Sequence, residues 1–325
     1  MKLTAKIERW PVAGAFTISR GAKTHVDVVV AEIHDGHHVG RGEGTPIYYH
    51  GESAETALAQ VASQADAISA GLTRGELPSR LPRGAARNAL DCALWDLEAK
   101  RAGRPVWKLA GLAEPKPLVT AYTISLADPA RMESDARALA DRPLLKLKLA
   151  GEGDEARVAA VRRGAPGARL IVDANEAWTG RDIEKEAAIL SQYAVALIEQ
   201  PVRAGEDGLL EGLTSPVPFA ADESCQDRTD LARCAGRYEA INIKLDKCGG
   251  LTEALALAAE AKAMGLEVMV GCMLATSLGI APAFLLGSQA AWVDLDGALL
   301  LADDRAFAMR AAYGWLEPPQ PALWG

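Results

Sequence analysis

The chain has 325 residues, a formal net charge of −8 and an isoelectric point near 5.3, and 49% of its residues are apolar. That length suffices for one large or two ordinary domains with a full core, and the absence of low-complexity tracts predicts a soluble globular protein. The acidic balance argues against a nucleic-acid partner, which would need a basic surface. The opening MKLTAKIERWPVAG has no apolar core of the kind a secretory leader carries.

Residues 1–50 read as a meander of short β runs, LTAKIERW, HVDVVVAEI and HVGRGEGTP, with 34–38 as a hairpin turn built on Asp35 and Gly36. Residues 53–70 read as helical, with Ser53 as N-cap. Residues 84–101 form a second helix, because Ala86, Leu90, Ala93, Leu94 and Leu97 follow the helical period. Strands followed by helices predict a small α+β domain. The RGEGT at 41–45 has glycines at alternate positions, but it opens no helix and is not a dinucleotide fingerprint.

From about residue 117 the pattern changes to strict alternation. Strand-like runs occur near 118–124, 144–149, 169–173, 195–199, 217–221, 240–245, 267–272 and 292–296, with helical segments between them, for example 154–163, 181–193 and 251–264. Eight continuous apolar strands with seven intervening helices predict a closed parallel barrel of the α/β class, not an open doubly wound sheet. Residues 268–293 carry no charge and are long enough to span a bilayer. Gly271, Gly279, Pro282, Gly287 and Gln289 interrupt them, so they read as a buried strand and a buried helix. The cysteines are Cys92, Cys225, Cys234, Cys248 and Cys272, an odd number without a CxxC pair, which fits a reduced cytoplasmic compartment.

Three carboxylates close successive strands: Asp173 in LIVDAN, Glu199 in ALIEQP and Asp222 in FAADES. Side by side at a barrel mouth they would repel unless a cation sat among them. No histidine or cysteine accompanies them, and an all-oxygen site selects a hard cation, Mg²⁺ first. Any one of them alone reads better as the N-cap of the next helix; three on successive strands favour the metal. Lys146 and Lys148 of LLKLKL are i, i+2 in a strand and share a face, roughly 6–7 Å apart. A buried lysine should have a lowered pKa, which suits a general base; in isolation the pair reads as snorkelling at a strand end.

Lys244 in INIKLD changes that balance. Barrel strands two and six lie opposite each other in a ring of eight, with the carboxylates on the arc between. Two bases facing one carbon from opposite sides, beside a metal, suit moving a proton from one face to the other through a stabilised enediolate. Asp294 and Asp296 of WVDLDG are again i, i+2, on strand eight and several strands from the trio. They suit a cationic part of a substrate, such as an ammonium, or else form a capping pair.

Together these residues resemble the enolase superfamily in its muconate-lactonising subgroup, over essentially the whole chain. The KxK of LLKLKLA, the Asp of IVDANEAW, the Glu of LIEQP, the Asp of ADES and the Lys of NIKLDKCGG stand in that order. Within the superfamily ARNALDCALWDLEAK, ADESC, GCML and the DxD of DLDG are most similar to the dipeptide epimerases. The resemblance implies a (β/α)7β modified TIM barrel over residues 115–300, an N-terminal α+β capping domain over 1–114, and residues 301–325 packing back on the cap. It implies Lys148 and Lys244 as the acid/base pair and one Mg²⁺ per subunit on Asp173, Glu199 and Asp222. Lys146 would hold the substrate α-carboxylate and help depress the pKa of Lys148, and Asp294 and Asp296 would bind an α-ammonium. Arg20 would meet a glutamate side-chain carboxylate, and Thr123, Cys272 and Leu274 would line the substrate. The implied reaction is 1,1-proton transfer at the glutamate α-carbon of L-Ala-D/L-Glu, a step of peptidoglycan-peptide recycling in the cytoplasm. The partner is a small dipeptide, without nucleic acid or membrane, and a homo-oligomer stays open. The alternatives are o-succinylbenzoate synthesis or cycloisomerisation, whose substrates offer Asp294 and Asp296 no ammonium, a class I aldolase using Lys244, and a non-catalytic binding protein.

Overall fold

The structure, a computed structural model, describes residues 1–18 and 21–325. Strands β1 (Lys2–Ile18), β2 (Gly21–His34) and β3 (Val39–Gly44) form an antiparallel sheet in chain order. β1 runs well beyond the expected LTAKIERW, with a register irregularity between Pro11 and Phe16. It is an edge strand, where a proline costs no ladder bond to a second neighbour. The β2–β3 turn is the expected one: the His37 and His38 amides donate to Asp35 Oδ1 at 2.9 and 2.7 Å. Ser53 caps the Ala54–Ala62 helix through a reciprocal pair with Thr56. The expected 53–70 helix is interrupted there, and a short second one follows over Ala65–Ser69.

The alternate glycines of RGEGT have a packing role. A Cβ at Gly40, Gly42 or Gly44 would stand 2.2, 2.1 and 2.1 Å from the carbonyl oxygens of Ala93, Ala89 and Ala85. Two residues of strand span about 6.6 Å and four residues of helix about 6 Å. The glycines on β3 therefore face successive turns of the Ala85–Ala102 helix, backbone on backbone.

The second part is the barrel. After β4 (Leu118–Val119), strands β5 (Tyr122–Ile124), β6 (Leu144–Lys148), β7 (Arg169–Asp173), β8 (Val195–Glu199), β9 (Phe219–Ala221), β10 (Ala240–Ile243), β11 (Glu267–Gly271) and β12 (Trp292–Asp294) follow. β5 to β12 are adjacent in chain order and parallel wherever they pair. The seam between β12 and β5 is joined by Ala121 N–H to Val293 O at 2.8 Å, and by side chains: Leu295 N–H donates to Thr120 Oγ1 (2.8 Å) and Thr123 N–H to Asp296 Oδ2 (2.7 Å). The run read as one strand at 118–124 is two. Leu118–Val119 leaves the barrel to pair with β14 (Trp315–Leu316), which also pairs with β13 (Ala311–Ala312). The connection from β8 to β9 holds a 3-10 turn, Asp207–Leu210, where an α-helix was expected. The uncharged 268–293 stretch becomes β11 and the buried Ser277–Phe284 helix. Among the described residues no helix is long and apolar enough to cross a membrane.

The chain end reaches the N-terminal part. Trp324 Nε1 donates to Cys92 O at 3.0 Å, the Gly325 amide donates to Asp96 Oδ1 at 2.9 Å, and Arg305 pairs with Glu8 and Glu43 at 2.7 Å each.

Candidate active site

The barrel interior is stacked in layers two residues apart, the period of a strand. The floor is an apolar cluster with one side chain from each strand or its edge: Ala121, Leu144, Ile171, Leu197, Ala220, Ala240, Met269 and Trp292. Two residues further along each strand stand Thr123, Lys146, Asp173, Glu199, Asp222, Asn242, Gly271 and Asp294. Another step gives Lys148, Asn175, Lys244 and Asp296. The chemistry begins where the apolar layer stops, at the carboxyl ends of the strands.

The three carboxylates expected to hold a metal are buried on neighbouring strands, and Asp173 pairs in register with both Lys148 and Glu199. Each meets an ammonium: Asp173 Oδ2 with Lys148 Nζ at 2.6 Å, Glu199 Oε2 with Lys146 Nζ at 2.5 Å, and Asp222 Oδ2 with Lys244 Nζ at 2.6 Å. Lys146 reaches across the interior, also touching Asp294 at 2.7 Å and Asp173 at 3.4 Å. Asp294, expected to stand apart from the trio, is thus joined to it through Lys146.

Burial, together with repulsion from Asp173 and Asp222, pushes the Glu199 carboxyl up to about 7. Burial, with repulsion from Asp294, does the same for Asp296, also to about 7. For Lys146 and Lys244 the expectation that burial lowers a lysine pKa is reversed. Desolvation pulls Lys146 and Lys244 down, but the carboxylates around each outweigh it and hold both well above the ordinary lysine value.

The donor set suits a hard divalent cation: three buried carboxylates on adjacent strands, with no thiol or imidazole among them. Among the described residues no three carboxylate, imidazole or thiol groups yet converge on one point. Lys146, Lys148 and Lys244 supply the positive charge instead.

Above this layer lies a cavity of about 230 Å³ lined by Thr123, Lys146, Lys148, Asp222, Lys244, Cys272, Leu274, Asp294 and Asp296 among others. Nine of the twelve residues singled out in the sequence therefore share one wall. Asp173 and Glu199 lie in the layer beneath, and Arg20 falls outside the described residues. The N-terminal sheet and the Tyr48–His50 turn close the mouth through Phe16, Lys23, Tyr48 and Tyr49.

Several functional contacts were not anticipated. Asn242 Nδ2 donates to Glu199 Oε1 at 2.7 Å. Lys247 Nζ is buried against Asp222 Oδ1 (2.6 Å) and the carbonyls of Asp222, Cys225 and Asn242. Asn175, at φ 44°, lines the cavity, and its amide donates to Asp173 Oδ1 at 2.9 Å. A two-residue step from Lys244 or Asp173 would have found Asn242 and Asn175. Glu43 on β3 accepts the Thr276 amide (2.8 Å) and hydroxyl, and Thr45 Oγ1 donates to Leu274 O at 3.0 Å. The cavity-lining 272–274 segment, with Thr276 just beyond it, is thereby tied to the N-terminal sheet.

Two family models match: "Mandelate racemase / muconate lactonizing enzyme, N-terminal domain" over residues 1–111 and "Enolase C-terminal domain-like" over 131–317. The L-Ala-D/L-Glu epimerase of Escherichia coli K12 is 45% identical over 95% of this chain and 97% of its own. An N-acetyl-D-glutamate racemase of Pseudoalteromonas is 44% identical over 92% and 95%. Among solved structures, an enolase family member from Agrobacterium tumefaciens with homology to dipeptide epimerases, with bound sodium and L-Ala-L-Glu, is 51% identical with TM-score 0.97, covering 99% of each chain. The dipeptide epimerase of Enterococcus faecalis V583, complexed with Mg and L-Leu-L-Tyr, is 29% identical with TM-score 0.91, covering 98% of this chain and 97% of that one.

Proposed function

The chain belongs to the mandelate racemase/muconate lactonizing enzyme family of the enolase superfamily, and from that premise we propose that it is a dipeptide epimerase acting on L-Ala-D/L-Glu. One observation carries the mechanism: Lys148 and Lys244 stand in the layer above the carboxylates, at the ends of β6 and β10, with three strands between them on the arc that carries Asp173, Glu199 and Asp222.

In this reading Lys148 and Lys244 face the glutamate α-carbon from opposite sides. One ammonium, once deprotonated, removes the α-proton, and the other delivers a proton to the far face, inverting the centre. Asp173, Glu199 and Asp222 would hold one Mg²⁺ per subunit. Bound there, the ion would supply positive charge that offsets negative charge developing on the substrate carboxylate and loosens the carboxylates' grip on the lysines. Lys146 orients the α-carboxylate, and Asp294 and Asp296 receive the α-ammonium. Thr123, Cys272 and Leu274 form the side wall, and Arg20 is assigned to the distal carboxylate. Residues 1–114 act as the cap, 115–300 as the catalytic barrel and 301–325 as the strap between them. The odd set of free thiols agrees with work in the cytoplasm.

A second reading is racemisation of an N-acylated glutamate. It is favoured by one contact: Asp294 already holds the Lys146 ammonium, so the subsite is not wholly given over to a ligand cation. Proton NMR in D₂O separates the two. L-Ala-L-Glu should lose its glutamate α-proton signal with inversion, and EDTA should stop the exchange. Exchange with N-acetyl-L-glutamate and none with the dipeptide would overturn the epimerase reading.

A further inference from the structure

Each of the three buried carboxylates has one oxygen against a cavity lysine and one held from behind. Asp173 Oδ2, Glu199 Oε2 and Asp222 Oδ2 meet Lys148, Lys146 and Lys244. The other oxygens accept from the framework: Asp173 Oδ1 from the Asn175 amide at 2.9 Å, Glu199 Oε1 from Asn242 Nδ2 at 2.7 Å, and Asp222 Oδ1 from Lys247 Nζ at 2.6 Å. Two of these donors are neutral, and the third is an ammonium. Lys247 stands on the single helical turn Leu245–Cys248, with its side chain 1% exposed, and it does not line the cavity. Its ammonium has three protons, and it meets Asp222 Oδ1 and the carbonyls of Asp222, Cys225 and Asn242, these last at 2.5, 2.8 and 2.8 Å. No donor is left over for a ligand. The Asp222 amide in turn donates to Gln200 Oε1 at 2.8 Å. Asp222 is thus gripped at its amide, its carbonyl and one carboxylate oxygen, and only Oδ2 is free to exchange Lys244 for another cation.

The number of oxygens a carboxylate offers bears on the size of the ion it suits. Mg²⁺ takes about six ligands at about 2.0–2.1 Å and keeps several waters among them, whereas Ca²⁺ takes about six to eight at about 2.3–2.6 Å and accepts carboxylates through both oxygens. Three carboxylates that give one oxygen each suit the smaller ion. At Asp222 the restriction is enforced by a fixed charge, and an ion that took Oδ1 would strip a buried ammonium of its anion. We propose that Lys247 is an ion-selectivity residue: by occupying Asp222 Oδ1 it limits that carboxylate to one oxygen and sets the site against Ca²⁺. This inference rests on the reading above that the three carboxylates hold Mg²⁺.

The test is calorimetry on the whole protein without substrate, giving Kd for Mg²⁺ and for Ca²⁺ in wild type, Lys247→Met and Lys247→Arg. Lys247→Met frees Oδ1 and should shift the ratio of the two constants toward Ca²⁺ by about 10-fold or more, the usual scale for a group that holds a metal ligand. Lys247→Arg keeps a charged donor and should stay closer to the wild-type ratio. A loss of affinity shared equally by both ions would mark Lys247 as structural only and overturn the assignment. A crystal structure of the wild type with Mn²⁺ needs no variant to fold: Asp222 should ligate through Oδ2 alone, with Oδ1 still on Lys247, and ligation through both oxygens would overturn the assignment. Wild type that binds none of these ions would overturn the metal reading as well, whereas binding with an unmoved ratio overturns only the role of Lys247.

Discussion

Gly42→Ala adds one methyl group where the N-terminal sheet meets its helix. The new Cβ would stand 2.1 Å from Ala89 O, 2.7 Å from Ala93 N and 3.1 Å from Ala89 C, whereas ordinary contact begins at 3.4 Å. The shortfall is about 1.3 Å, and all three neighbours are backbone atoms of a helix, so no side-chain rotation relieves it. Strand and helix must separate by about that amount. A gap of even 0.5–1 Å forfeits roughly a quarter to a half of each dispersion contact along the seam. The expected cost is about 3 kcal/mol, the upper end for overpacking. With a urea slope of about 3 kcal/mol/M, the midpoint should fall by about 1 M. Activity should suffer too, because Glu43 lies between Gly42 and Gly44 and holds Thr276. Gly75→Ala is the control: nothing lies within 4 Å of its Cβ position and its φ is not positive. It should match wild type or gain about 0.4–1 kcal/mol. A wild-type midpoint for Gly42→Ala, or an equal fall for Gly75→Ala, would show that the seam between β3 and the helix does not depend on the missing side chain.

Further outcomes can be checked alongside it. Lys148→Arg and Lys244→Arg should each lower epimerisation by at least about 10²- to 10⁴-fold, the usual worth of a positioned acid or base; near-wild-type inversion in either variant would refute the two-base assignment. Asn242→Leu removes the donor to Glu199 Oε1 and should weaken Mg²⁺ binding about 10-fold or more by calorimetry; an unchanged Kd would show that Asn242 does not position the carboxylate. Asp296→Ala should raise KM for dipeptides more than it lowers kcat, and the opposite split would move Asp296 into the chemical step. Burial pushes the Asp246 carboxyl up to about 7, while its Oδ1 accepts from Thr45 N and Asn88 Nδ2. The folded state therefore binds this proton more tightly than the unfolded chain, and stability is lost as pH rises from about 4 to about 7. Asp246→Asn keeps the accepting oxygen and should flatten that decline, by on the order of 2 kcal/mol between pH 5 and pH 8; parallel melting curves for the two proteins would contradict it.

The barrel was legible because its strands are buried on both faces and its site residues interrupt apolar runs at strand ends. Lys148, Asp173, Glu199 and Lys244 each follow such a run. The exchange of Leu118–Val119 into another sheet was not legible, since an apolar dipeptide looks the same whichever strand it joins. The 3-10 turn before β9 was hidden for a related reason: segment length fixes how far the chain travels, not how it coils. The pKa direction of Lys146 was misjudged because it depends on how many carboxylates face the ammonium. Lys146 meets three, contributed by β7, β8 and β12. Lys247 escaped notice because its acceptors are mostly carbonyls, which leave no mark in composition.

The seam between β12 and β5 has a mechanical consequence. Elsewhere the wall is laced by strand ladders, but here part of the lacing is Asp296 gripping the Thr123 amide. On the proposed reading that Asp296 receives a ligand's ammonium, the carboxylate that fastens the barrel is also the one offered to the ligand. A guest drawn to Asp296 would then share that carboxylate with the wall, so the stiffness of the vessel at this seam would vary with what the vessel contains.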